Sequence, residues 1–156
     1  MANAEWNVLV ALETLLKTID EMGNVTIGML EDLFNSDKFA GKLPATFIEY
    51  VSNEETGPED SSDERYVPFD VPVVVVFKEG QGDPETKRRL KLQTAIVYKN
   101  YIANKLDGDP QLGGLQVELS PIRGTLVMMN DQRVKKPYWA IQVMLHFATW
   151  QTKGSR

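Results

Sequence analysis

Four consecutive valines, Val73 to Val76, sit in the segment DVPVVVVF. Side chains alternate between faces along a strand, so an unbroken apolar run has no face to give to water. Such a strand belongs at the centre of a sheet or under cover on both sides. A chain of 156 residues can supply that cover in one domain without disulfide or metal staples. Pro72 has no N–H for a ladder, and its expected place is the start of the strand.

The cover is expected from helices. Val8, Leu12, Leu15, Ile19 and Met22 recur at steps of four and three, with Leu9 and Leu16 beside them and Trp6 extending the apolar side. This predicts an amphipathic helix that ends near Gly23–Asn24, where a left-handed cap is easily formed. A short second helix is expected through Ile27, Leu30, Leu33 and Phe34, with Thr26 as its cap, although Gly28 weakens it. The long helix is signalled by Asp83 as N-cap, Pro84 at its first position and Glu85 in its first turn. It should run to about Leu106, roughly 34 Å, with Leu92, Ala95, Ile96, Ile102, Ala103 and Leu106 on one face. Leu90, Leu92, Ile96 and Tyr98 also alternate, which allows a strand in part of this region; the cap chemistry favours the helix.

Three more strands complete the set. PATFIEYV is aromatic and β-branched, with Phe47, Glu49 and Val51 on one face and Ile48 and Tyr50 on the other. LQVELSPIRGTLVMMN follows the loop DGDPQLGG and is expected to bend at Pro121 or Gly124. After the turn DQRVKK, PYWAIQVMLHFATW places Trp139, Ile141, Val143, Leu145 and Phe147 on one face. The fold class is α+β: an N-terminal helix, a β-hairpin with a long acidic loop, a long second helix and a closing β-hairpin. Together they form a mixed or antiparallel sheet packed by helices. Residues 1–156 form one domain, with the acidic loop at about 53–66.

Charge narrows the function. There are 22 acids against 17 Lys and Arg, a net charge of -5, which disfavours sequence-independent binding to nucleic acid. Cysteine is absent, which excludes disulfides, thiolate metal sites and cysteine nucleophiles. The N-terminal segment lacks a basic leader and is interrupted by Glu13, Lys17 and Asp20, unlike a signal peptide. No apolar run approaches the ~20 residues that span a bilayer. The chain reads as soluble and made in the cytoplasm.

No local motif carries catalysis. His146, the only histidine, faces opposite to Leu145 and Phe147, and nothing near it in sequence supplies a nucleophile or an orienting carboxylate. GQGD before the long helix lacks the Lys and the glycine spacing of phosphate loops and reads as a turn. In DGDPQLGGLQVE, Asp107, Asp109, Gln111 and Glu118 fall at calcium-loop positions, but Leu112 stands where glycine is required and Pro110 stiffens the loop. No metal or cofactor is expected.

Two charged segments remain. NEETGPEDSSDER carries Glu54, Glu55, Glu59, Asp60, Asp63 and Glu64 and no apolar side chain. Its spacing fixes no coordination geometry; it reads as a solvated loop or as a docking segment for a basic surface. KRRLK places Lys87, Arg88, Arg89 and Lys91 near a helix start, where positive charge is locally unfavourable. The two segments could meet between copies of the chain.

GKLPATFIEYVS, SPIRGTLVMMN and PYWAIQVMLHFATW, together with the element order, resemble the tail terminator family of tailed bacteriophages. GKLPATFIEYVS is similar to that family's Leu-Pro strand after its first helix. SPIRGTLVMMN resembles the strand that follows the family's other helix, and PYWAIQVMLHFATW is similar to its closing strand. The resemblance implies a virion protein without enzymatic activity or cofactor. Six copies would form a ring on the last tail-tube ring, stop tube growth and present a surface to the head connector or stopper protein. The tail sheath protein is a further candidate partner, and DNA passes through the ring only as cargo. A related neck protein, or the cap of a phage-like injection device, shares this size and class. A third class is a small ligand-binding or enzymatic domain with a pocket lined by His146, Trp139 and Tyr138.

Overall fold

A computed structural model describes residues 4–28, 43–52, 64–78, 80–115, 117–119, 123–129 and 138–152. Helix α1 (Ala4–Leu16) leads through a single 3-10 turn (Asp20–Met22) to β1 (Asn24–Ile27). Then come β2 (Ala45–Ile48), β3 (Val51–Ser52), β4 (Glu64–Phe77), α2 (Pro84–Gly108), β5 (Val117–Leu119), β6 (Arg123–Met129) and β7 (Tyr138–Thr152). The strands form one seven-stranded sheet in the path β1-β2-β4-β7-β5, with β3 also on β4 and β6 also on β7. Among the described strands only β1 and β2 pair in parallel, so the sheet is mixed and the class is α+β, as expected.

The valine run is central, as its composition demanded. β4 lies between β2 and β7 and pairs with β7 along all 14 of its residues. Val71, Val73, Val75, Phe69 and Phe77 face the helices and join Leu12, Leu16, Ile102 and Leu106 in the main core. Val74 and Val76 point the other way, into a smaller buried cluster with Ala45, Phe47 and Ala140.

Pro72 is not at the strand start. It lies well inside β4, opposite Met144. Its carbonyl accepts from the Glu49 N–H at 2.9 Å, so its missing N–H faces the same side, toward the Glu49 carbonyl. The ladder is interrupted there between β2 and β3. The register Ile48↔Val73 nevertheless resumes in step at Val51↔Asp70, so both pieces follow one line. The proline therefore removes one bond without shifting the strand. The far edge differs. Leu119 pairs with Phe147 but Arg123 with Met144, so four steps on the edge oppose three on β7. The register therefore sets odd residues of β5 but even residues of β6 against the helix-facing odd residues of β7. Of the two expected bend points, Gly124 is paired within β6 and Pro121 lies outside the described residues.

Three further expectations are corrected. Helix α1 ends at Leu16, not near Gly23. The N–H groups of Thr18 and Ile19 turn back to Leu15 and Leu16, and the Thr18 hydroxyl also donates to the Leu15 carbonyl at 2.6 Å. These shorter loops close the α ladder, yet Ile19 and Met22 still reach the core. Asn24–Ile27 is a strand, not the start of a second helix with Thr26 as cap. Its β-branched run pairs with β2, and the Gly28 N–H extends the ladder to Ile48. Leu30, Leu33 and Phe34 of that expected helix lie outside the described residues. In α2, Ala95, Ile102 and Leu106 are buried, but Leu92 and Ile96 are each 56% exposed. Tyr98 and Tyr101 pack against the core in their place.

The start of α2 follows its cap chemistry. The Thr86 N–H donates to the Asp83 carboxylate at 2.7 Å, and Pro84 occupies the first turn. The Thr86 bonds hold the Asp83 carboxyl below its ordinary value. A depressed carboxylate stabilises the fold above its unfolded pKa and loses that contribution as pH falls through the folded value. Asp83→Ala should therefore lower Tm at neutral pH, and the gap to wild type should close in acid. A gap that persists unchanged at low pH would show that the carboxylate charge is not what stabilises the helix start.

Candidate functional site

The face of the sheet turned away from the helices carries the His146–Asp70 pair. His146 comes from β7 and Asp70 from β4, and the ladder sets them directly opposite each other. The His146 Nδ1 lies 2.5 Å from an Asp70 carboxylate oxygen. Cross-strand neighbours on this face are Pro68 and Ala148 on one side, Pro72 and Met144 on the other. None of these four offers a nucleophile or a second titratable group. The pair orients one imidazole on a shallow sheet surface and couples the two longest strands through their side chains. Sequence reading missed Asp70 because the partner lies 76 residues away.

The expected pocket of His146, Trp139 and Tyr138 does not form. Trp139 packs against the main core on the helix side, whereas His146 faces the opposite side of the same strand. The Lys91 ammonium sits over the Trp139 ring, 3.4 Å from its centroid. A desolvated contact of this kind contributes roughly 0.5–2 kcal/mol. Lys91 thus has a structural role within its own subunit, and it pins the second turn of α2 to the start of β7.

The remaining basic side chains line the first turns of α2. Arg89 pairs with Glu85 at 3.1 Å on an exposed face, Arg88 is exposed and Lys87 is half-buried. Among the acids, Glu54, Glu55, Glu59, Asp60 and Asp63 lie outside the described residues. Glu64 is not part of a loop: it opens β4, opposite Thr152. Lys91 marks the other end of the β4–β7 pair, where Trp139 lies opposite Phe77. At ~3.3 Å per residue, the 14-residue strand sets these two ends about 40 Å apart. The fold therefore keeps Glu64, where the acidic segment joins the sheet, far from the basic helix start.

The loop after α2 uses its acid internally. The Asp109 carboxylate accepts from the Gly113 N–H at 2.9 Å, which closes the turn that Leu112 enters with φ 50. Among the described residues no group of three or more His, Asp and Glu is placed to hold a metal ion. None of their helices is long and apolar enough to cross a membrane. Among the exposed apolar side chains, two groups stand out beside Val10, Val51, Val97 and Trp150. Trp6 is 53% exposed beside a groove of about 480 Å3 lined by Glu5, Leu9, Ile27, Ile48, Glu49 and Tyr50. Leu92 and Ile96 form the other.

No protein-family model matches this chain, and no curated protein matches it.

The cross-strand pair yields a measurable coupling. In a double-mutant cycle of Asp70→Asn and His146→Gln, urea denaturation should give an interaction of about 0.2–1 kcal/mol, the range for cross-strand side-chain pairs. A coupling near zero would make the contact incidental. Lys91→Ala should cost about 1 kcal/mol by the same measurement. If Lys91→Arg restores that loss, a cation over Trp139 is required; if it does not, the stem rather than the charge matters.

Proposed function

We propose that the protein is a ring-forming cap of a phage tail tube. Six copies would seat on the last tube ring, stop its growth and present a surface to the head connector. The observation that carries this reading is the separation of Glu64 from the basic start of α2 by a rigid strand pair about 40 Å long. Glu64, where the acidic segment joins β4, and the basic start of α2 lie at opposite ends of that pair, an arrangement that suits a contact between copies. The element order gives further support. A helix, a strand pair around the acidic segment, a long helix and a closing strand pair follow one another along the chain. The net charge of -5 also suits a channel through which DNA must slide without sticking.

In this reading the acidic segment that includes Glu54, Glu55, Glu59, Asp60, Asp63 and Glu64 touches a neighbouring subunit or the tube below. The direct test is tube length. Purified tube protein polymerised with increasing amounts of the chain should give tubes that stop growing, each with density at one end in negative-stain images. Replacing the six acids by Ser and Gln should abolish capping while circular dichroism stays unchanged. Tubes that lengthen equally with and without the wild-type chain would refute the capping role. Capping that survives the six replacements would leave the segment as a solubilising one only.

A further inference from the structure

The two exposed apolar surfaces lie on opposite edges of the sheet. The groove belongs to the β1 edge: Ile27 and Gly28 end that strand, and Glu5, Trp6 and Leu9 of α1 overhang it. The helix surface belongs to the β6 edge. Gly124 of β6 lies under the Lys99 stem, so close that a Cβ there would sit 3.2 Å from the Lys99 Cγ. Leu92, Ile96 and Lys99 follow at helical spacing, so the apolar pair rises on the stripe nearest that edge.

The two surfaces also differ in shape and charge. One is concave, with the Glu5 carboxylate, which accepts from the Tyr50 hydroxyl, at its wall and no basic residue. The other is a convex helix stripe, and Lys87, Arg88, Arg89, Lys91 and Lys99 outnumber Glu85 around it. Pairing like with like would press base on base or acid on acid. Pairing unlike surfaces sets two adjacent aliphatic side chains into an apolar groove and opposite charges around its rim.

We infer that the Leu92/Ile96 stripe of α2 docks into the Trp6–Tyr50 groove of a second copy of this chain. The contact is heterologous. Each copy keeps one open groove and one open stripe, so the interaction repeats and closes into a ring when the rotation permits. It supplies the subunit interface of the ring proposed above and rests on that reading only for where the ring is used.

Two surface variants test it. Trp6→Glu spoils the groove, and the double variant Leu92→Glu, Ile96→Glu spoils the stripe. All three side chains are exposed, so both variants should keep the wild-type circular dichroism. By sedimentation, each variant alone should remain a single copy under conditions where the wild type assembles. An equimolar mixture should form a dimer and nothing larger, because one intact groove and one intact stripe remain. A mixture that stays monomeric, or either variant assembling like wild type, overturns the inference. Since the chain has no cysteine, the variant Trp6→Cys, Ile96→Cys with a short bismaleimide supplies a second readout that also captures weak assembly. A ladder of covalent multimers is expected from the double variant and none from either single variant. No ladder, or a cross-linked dimer from a single variant, overturns it. Multimers that form through this contact yet leave tube growth unchanged would instead refute the capping role and leave the contact standing.

Discussion

The β4–β7 ladder is the constraint on which the rest of the structure depends. Fourteen consecutive pairs fix which residues of both strands meet the helices and which do not. That one register sends Phe69, Val71, Val73, Val75, Ile141, Val143, Leu145 and Phe147 into the main core. It also sends Asp70 and His146 to the opposite face, where they bind each other. A slip of one residue would exchange the two sets and bury this polar pair among aliphatic side chains. The interruptions in the flanking strands are tolerable because this central pair carries none. Pro72 turns its missing donor to the β2–β3 side, and the register offset between β5 and β6 is confined to the other edge.

Much of this was legible in the residues, for identifiable reasons. Val73–Val76 could only be a covered strand, and Asp83-Pro84-Glu85 could only favour a helix start. The alternation through PYWAIQVMLHFATW correctly set His146 against Phe147. What failed were features decided by distant partners. Thr26 has the chemistry of a cap, but β2 offered Asn24–Ile27 a strand to pair with, and tertiary pairing overrode the local signal. The Thr46 hydroxyl ties that arrangement down by donating to the Met22 carbonyl at 2.9 Å in a buried setting. Pro72 was misplaced because sequence does not say which of two neighbouring strands its missing N–H will face.

The functional surfaces divide in the same way. Periodicity placed Leu92 and Ile96 on the apolar side of α2 because it counts hydrophobic residues, not the space available beneath them. The sheet accepts a narrower stripe, Ala95, Ile102 and Leu106 with the two tyrosines beside it. The surplus is left facing solvent. The basic cluster was visible as a run, but its separation from Glu64 and the use of Lys91 on Trp139 required the full ladder. The helix therefore turns apolar and basic side chains to solvent, and the opposite edge presents an apolar groove beside Glu5.

The proposed ring is a closed assembly of identical subunits. The most direct measurement is native mass over a range of concentrations, with and without purified tube ends. Closure makes intermediate sizes unfavourable, since every open chain leaves one groove and one stripe exposed. The account predicts two dominant species, one subunit and a ring of about six, with the ring favoured by tube ends. A continuous ladder of open oligomers, or a single subunit at every concentration with tube ends present, would contradict it.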